Sequence, residues 1–350
     1  MSSLPHKHAG LTFPFADKPA DGRGIRVAES IEWFRLSLPF ALDHVNCWLL
    51  GELGDHVLVD TGVADEDSRS RWQKNLSKLS SGASIPSVEK LLITHFHPDH
   101  MGLAGWFQQA ECCLLGTKVE TDFARLLWHI EDQDYADFYA DWYRANGLPD
   151  STIAAVRRNS NTYKKLVCQP PSQDAWTLLE EGEHIVLGGH EYEVMIGRGH
   201  APDMIMLYRA ADHVLIAADQ VLPSITPNVS VMPRSEDSNP LKSFLDCLLR
   251  LRELPEDTLV LPSHGDPFRG LWAKLDALAV HHDQRLEEVL GACGTPQSAF
   301  DLFGVLFRRE LDAQQTSFAL GESLAHLHYL ESNGQLQRQV KNGVDYFIRA

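Results

Sequence analysis

Thr94-His95-Phe96-His97-Pro98-Asp99-His100 places four side chains of metal-ligand type within six residues, directly after the apolar run Val88-Glu89-Lys90-Leu91-Leu92-Ile93. That run has the length and composition of a buried strand. If strand geometry continues past Thr94, His95 and His97 share one face, because successive side chains alternate. Pro98 limits the backbone and turns the chain. Asp99 and His100 can then point to a second position beside the first. A lone histidine is usually a satisfied polar residue. Four ligand-type side chains converging at one strand end are not explained by packing. Imidazole and carboxylate donors suit zinc, and iron and manganese accept the same set.

Three further candidates follow in order. His200 lies in Gly197-Arg198-Gly199-His200-Ala201-Pro202-Asp203, Asp219 follows Leu215-Ile216-Ala217-Ala218, and His264 follows Leu259-Val260-Leu261-Pro262-Ser263. Each time an apolar strand delivers one ligand-type residue to a turn. Singly, each reads as an ordinary loop residue; behind the histidine cluster, the three together do not.

The surrounding pattern is layered. Strand-like runs cover Ile31–Leu38, Val45–Leu50 and His56–Asp60. Asp65 to Leu79 reads as a helix, Val88–Thr94 as a strand and Gly102–Ala110 as a helix. Alternating strands and helices indicate sheets covered by helices. Residues 117–168 carry aromatics at helical spacing (Phe123, Trp128, Tyr135, Phe138, Tyr139, Trp142, Tyr143), and form a packed helical hairpin or a lid. Strands return over 183–217 and at Thr258–Leu261, with a helix over Leu241–Leu254 between them. Beyond Ala273 the chain reads as helical, with helices over Ala299–Glu310 and Ser317–Glu331, then two short strands. With 350 residues, the chain exceeds the ~250–300 at which single cores stop growing. The expected division is a loosely packed lead-in over 1–24, a main domain over 25–272 with the 117–168 insertion, and a helical tail over 273–350.

The net charge of −17 argues against general nucleic-acid binding, which usually needs a basic face. No apolar run is long enough to cross a bilayer, and Met1–His8 lacks the apolar core of a secretory signal. The expectation is a cytoplasmic protein without membrane attachment. The six cysteines form no C-x-x-C pair and read as buried small hydrophobes in a reducing compartment.

The sequence resembles the metallo-β-lactamase superfamily over about residues 25–270. The first family motif is matched at Asp60 in Val59-Asp60-Thr61-Gly62 and the second at Thr94–His100. His200, Asp219 and His264 match the third, fourth and fifth. The resemblance implies an α/β fold, the αββα sandwich, and a dinuclear centre of two Zn2+, with Fe or Mn as alternatives. It implies that His95, His97 and His200 hold one metal. Asp99, His100 and His264 would hold the other, Asp219 would bridge both, and Asp60 would steady the site from behind. The implied activity is hydrolysis by a metal-bridging hydroxide, with Asp99 also handling a proton.

The tail, at Ala319–Leu327 and Leu330–Gly334, is similar to the winged-helix-like extension of glyoxalase II-type thioesterases and of a β-lactamase-like ribonuclease. Glu310, Asp312, Glu322 and Glu331 beside Arg308 and Arg309 suit packing or a homodimer at least as well as nucleic acid. The favoured substrate is a small thioester, ester or lactone. The alternatives are a nuclease acting on single-stranded RNA, a ligand-binding regulator and a di-iron oxidoreductase. A nuclease would need a basic track, of which Arg157-Arg158 and Lys164-Lys165 are the visible fragments. The stiff segment Asp219–Ser230 reads as a pocket wall or a connector. His281-His282 reads as a solvent-exposed helical pair without a metal role.

Overall fold

The computed structural model describes residues 10–52, 54–77, 84–158, 162–233, 235, 238–307 and 311–350. Seven strands form the first sheet in sequence order: β1 (Ile25–Ala28), β2 (Ile31–Ser37), β3 (His44–Leu50), β4 (Val57–Val59), β5 (Lys90–Leu92), β6 (Cys113–Gly116) and β7 (Trp176–Leu178). The first four pair antiparallel; β4 through β7 run parallel. The second sheet has the order β12-β11-β10-β9-β8, from β8 (His184–Leu187), β9 (His190–Gly197), β10 (Met204–Arg209), β11 (Val214–Ala218) and β12 (Leu259–Pro262), with only β11 and β12 parallel.

The two sheets face each other across one apolar layer. Trp33, Trp48, Val57, Val59 and Leu92 of the first meet Tyr192, Val194, Ile205, Leu207 and Leu261 of the second. The central strands are short and apolar on both faces, as parallel strands covered on both sides must be. On the outer face of the first sheet, Phe34, Leu36 and Leu91 pack with Trp72 of α1 (Glu66–Asn75). α2 (Pro98–Met101), α3 (Ala104–Gln108) and α4 (Lys118–His129) complete that layer, with Met101, Phe107 and Ala124 in the same cluster. α5 (Asp132–Ala145), α6 (Asp150–Arg158) and α7 (Tyr163–Leu166) follow. Over the second sheet lie α8 (Pro240–Leu251), α9 (Leu271–Ala292), α10 (Phe303–Leu306) and α11 (Ala313–Ser332), whose apolar faces share one core with Met206, Leu215 and Val260. The layer order is helix, sheet, sheet, helix. A hairpin of β13 (Leu336–Lys341) and β14 (Val344–Arg349) closes the chain.

Local chemistry sets several boundaries. Asp65 caps α1 by accepting the Ser68 amide, Asn239 precedes Pro240 and caps α8, and Asp312 and Gln315 cap α11 reciprocally. The helix expected over 102–110 is the shorter α3, Ala104–Gln108, and a separate turn of helix, α2, precedes it at Pro98–Met101. The helix expected over 299–310 is reduced to Phe303–Leu306; Glu310, Arg308 and Arg309 lie outside the described residues, as does Leu79 at the end of the first expected helix. The described part of the lead-in is fastened rather than loose. Thr12 and Arg269 exchange backbone hydrogen bonds of 3.1 and 2.9 Å, and Lys18 pairs with Asp266.

Parallel pairing explains where chemistry collects. The carboxyl ends of β4 and β5 lie at one edge of the first sheet, and those of β11 and β12 at one edge of the second. The two edges are joined: the Ile205 amide donates to the Thr94 carbonyl at 2.9 Å, and the Asn46 amide to the Ser263 carbonyl at 2.7 Å.

Candidate metal centre

Asp60 follows β4 with φ of 63°, a left-handed conformation that costs energy in any residue but glycine and clusters at functional sites. The turn aims its carboxylate back under the histidine loop. Asp60 accepts the Thr94 amide at 2.9 Å, the Thr94 hydroxyl at 2.9 Å and His100 Nδ1 at 2.8 Å. Ala218, directly before Asp219, has φ of 46°. Gly199 has φ of +109°, and a Cβ there would lie 2.5 Å from Phe244 Cβ, so α8 presses closely on the turn that carries His200.

All seven expected ligands converge, in three overlapping groups whose ligand atoms lie within 4.8 Å of one another: His95, His97 and His200; His95, His100 and Asp219; Asp99, His100 and His264. Asp219 spans the centre. Its oxygens lie 3.7 Å from His100 Nε2, 3.3 Å from His200 Nε2 and 3.4 Å from His264 Nε2. Asp99 Oδ2 is 3.4 Å from His264 Nε2 and 3.6 Å from His100 Nε2.

The outer nitrogens assign the inner ones. His200 Nδ1 faces the Asn228 carbonyl at 2.9 Å and His264 Nδ1 the His44 carbonyl at 2.7 Å. A carbonyl only accepts, so each Nδ1 carries the proton and each Nε2 presents a lone pair inward. The Thr94 hydroxyl donates to Asp60 and receives His95 Nδ1 at 2.9 Å, which leaves His95 Nε2 bare as well. Yet His95 Nε2 and His200 Nε2 both point at His97 Nδ1, at 2.9 and 3.0 Å. One proton on His97 can satisfy only one of them. Nearby, His100 Nε2 and Asp219 Oδ1 are buried without a hydrogen-bond partner. Converging lone pairs and buried polar atoms left without a partner are what a cation site would resolve, and the donor set fits divalent zinc, iron or manganese.

Electrostatics agree. Burial, reinforced by the neighbouring imidazoles, holds His95 and His97 well below the usual histidine range, so both are neutral donors. Burial also opposes charge on His100, but the carboxylates of Asp99, Asp60 and Asp219 outweigh it and push its pKa up to about 10. Against burial, the surrounding histidines hold Asp219 well below the carboxylate range. Negative charge concentrated around one imidazole is the field a metal cation would complete.

Two residues absent from the sequence reading support the centre. Glu120, buried on α4, accepts the Phe96 amide at 3.0 Å and the Asp203 amide at 2.6 Å. Its signal was faint: Thr117 caps α4 three residues earlier, a spacing that also occurs at ordinary helix starts. His44 Nε2 accepts the Gly265 amide at 2.9 Å while its carbonyl holds His264. No spacing rule connects residues so far apart in sequence.

Other expectations change. His281 and His282 are buried, not exposed, in the core between α8, α9 and α11, where His282 Nδ1 lies 3.4 Å from His326 Nε2. Among the described residues they join no cluster of metal-ligand type. Four cysteines are buried, but Cys113 is exposed and Cys168 partly so. In the insertion, Trp142 and Tyr143 of α5 pack into the core shared with α11, and the Tyr143 hydroxyl lies 2.7 Å from Ser317 Oγ. Phe123 of α4 instead approaches the centre, 4.7 Å from Phe96, whose ring is 4.4 Å from His97. Arg157 pairs with Asp137, and Lys164 donates to the Ile130 carbonyl at 2.7 Å.

The chain matches the metallo-beta-lactamase superfamily over residues 41–264, a span that holds every one of these ligands. It belongs to the metallo-β-lactamase superfamily. Residues 286–350 match the metallo-beta-lactamase-like C-terminal domain. A beta-lactamase domain protein from Burkholderia ambifaria is 38% identical, with a TM-score of 0.88 over 99% of this chain and 100% of that one. A metallo-beta-lactamase family protein from Thermus thermophilus is 28% identical, with a TM-score of 0.78 over 93% of this chain and 100% of that one. The probable metallo-hydrolase YqjP of Bacillus subtilis (strain 168) is 24% identical over 332 residues, 91% of this chain and 98% of its own. The chain is therefore a metallo-β-lactamase-fold hydrolase. Among the described residues no helix is long and apolar enough to cross a membrane.

Proposed function

We propose that this hydrolase cleaves a small thioester, ester or lactone at a dinuclear centre. His95, His97 and His200 would hold one metal and Asp99, His100 and His264 the other, with Asp219 placed between the two groups to serve both. The observation that carries this reading is the placement of Asp219, within 3.3–3.7 Å of histidines from both groups. Two Zn2+, or Fe or Mn in the same positions, would supply Lewis acidity toward the acyl oxygen and lower the pKa of water. His97 and Asp99 are the ligands left partly exposed, so substrate approaches across them. Asp99 Oδ2 is then placed to take the proton that water gives up. Water adds to the acyl carbon, the bond to sulfur or oxygen breaks, and the leaving thiol or alcohol takes a proton. Phe96, whose ring lies 4.4 Å from His97, and Phe123 behind it give this side of the centre an apolar backing, which suits an acyl group better than a charged backbone.

A nuclease is disfavoured because Arg157 and Lys164 are already engaged, and a net charge of −17 repels polyphosphate. A regulator or a di-iron oxidoreductase has no separate support in the fold. The tail, α10, α11 and the β13–β14 hairpin, has the order of a winged helix. We assign it a packing role: Leu320, Leu324 and Leu327 of α11 lie in the core of the second sheet. A homodimer formed through this tail, and a cytoplasmic location, accompany the same reading.

The test is metal content measured with turnover on acyl-thioesters, homoserine lactones, aryl esters, a bis-aryl phosphodiester and single-stranded RNA. Two metals per chain with turnover of the acyl substrates support the proposal. Cleavage of only the phosphodiester or RNA overturns it.

A further inference from the structure

We propose that Glu120 is a positioning residue for the three-histidine half of the centre: its carboxylate fixes the loops of residues 95–97 and 200–203 at the separation that His95, His97 and His200 need. This inference rests on the reading of those histidines as metal ligands.

The geometry is specific. One carboxylate oxygen takes the amide of Phe96, which lies between His95 and His97; the other takes the amide of Asp203, three residues past His200. One side chain thus ties the two loops that supply the whole three-histidine group. The backbone bond between the sheets at this edge, from Ile205 to Thr94, stops short of both loops. The first turn of α4 reinforces the clamp. The Thr117 hydroxyl donates to the Asp203 carbonyl at 3.0 Å, and the helix terminus favours a negative group. The Tyr163 hydroxyl donates to the Phe96 carbonyl at 2.9 Å, so both backbone groups of Phe96 are held.

The clamp is also costly, which a simple packing role would not need. Glu120 is buried, and among the described residues no lysine or arginine pairs with it. Burial pushes its pKa up to about 7 despite the two amides that favour the carboxylate. An apolar residue would fill the same space without that penalty, but would leave two loop amides unsatisfied. Among the described residues no hydrogen bond links Asp99, His100 or His264 to Glu120's amide partners, and His100 is held by Asp60 and His264 by the His44 carbonyl.

The experiment uses the full chain in two backgrounds. In His264→Ala only the three-histidine group remains complete; in His97→Ala only the Asp99 group does. Adding Glu120→Gln should weaken zinc binding about 10–100-fold in the first background and less than about 3-fold in the second. With both chains metal-free, Glu120→Gln alone should speed hydrogen exchange at the Phe96 and Asp203 amides relative to wild type. Thr117→Val, a milder change, should move both readouts the same way by less, and serves if the glutamine variant does not fold. Equal weakening in the two backgrounds, or unchanged exchange, overturns the clamp and leaves the metal reading intact. A wild-type chain that takes up no zinc overturns the metal reading, and this inference with it.

Discussion

Asp60 Oδ2 lies 2.8 Å from His100 Nδ1, and the same carboxylate holds the Thr94 amide and hydroxyl. One side chain at the end of β4 therefore orients the candidate ligand His100 on α2 and sets the path of the loop after β5. Asp60→Asn tests this directly. Asparagine tolerates the left-handed backbone at this position, so the fold should survive. It has one acceptor oxygen where aspartate has two, and its amide group opposes the His100 proton. Zinc affinity should fall about 10–100-fold with a near-native circular dichroism spectrum. Unchanged zinc affinity would remove Asp60 from the support of the centre.

His97→Ala addresses the ligand assignment itself. His97 Nδ1 is the atom on which the other two imidazoles of its group converge. Its loss should reduce metal content from two per chain to one and lower turnover of the acyl substrates by at least about 100-fold. Metal analysis by mass spectrometry, run beside the activity assay, reads both. Full metal content with full turnover would show the assignment to be wrong.

The pH dependence of stability should carry a mark from Lys274. This buried α9 side chain donates to the carbonyls of Pro223 at 3.3 Å and Ile225 at 3.2 Å. Burial pushes its pKa down from 10.5 to about 8. Between pH 8 and 10.5 the unfolded chain therefore binds the proton that the folded chain has released. Folding stability gains from rising pH across that window, and the cost of burying the charge is fully present below pH 8. Relative to Lys274→Met, the wild type should gain on the order of 3 kcal/mol between pH 8 and 10.5. Urea unfolding of both proteins at the two ends measures it, and a pH-independent difference would contradict a charged, buried Lys274.

The candidate ligands are legible because each sits where an apolar strand ends, and strand ends are readable from composition. His95, His200, Asp219 and His264 all follow buried runs that fold as expected. What holds them was not legible. Glu120 reaches Phe96 and Asp203 across 24 and 83 residues, and His44 reaches Gly265 across 221. Such contacts depend on tertiary placement, which no local period encodes. Strands β6 and β7 are too short for alternation to show, and unlike the equally short β4 and β5 neither runs into one of the candidate site residues. His281 and His282 misled for the opposite reason. Adjacent polar residues on a helix usually face solvent, but α9 is enclosed by α8 and α11, so both are buried.

Gly321 tests whether the tail contributes to the centre or merely sits beside it. A Cβ at this position of α11 would lie 2.7 Å from Ser230 Cβ and 2.7 Å from the Val231 carbonyl. The Gly321 carbonyl also accepts the Val231 amide at 3.0 Å. The helix can approach this closely only without a side chain. The segment it touches leads to the candidate ligand His200: Ser230 Oγ donates to Asn228 Oδ1 at 2.6 Å, and the Asn228 carbonyl accepts His200 Nδ1. Overpacking a close contact costs about 1–3 kcal/mol. Gly321→Val should therefore lower the thermal midpoint by several degrees, the usual consequence of a loss of that size. It should also weaken zinc binding through the displaced Asn228 carbonyl. A destabilised variant with wild-type zinc affinity would show that α11 supports the fold without positioning His200.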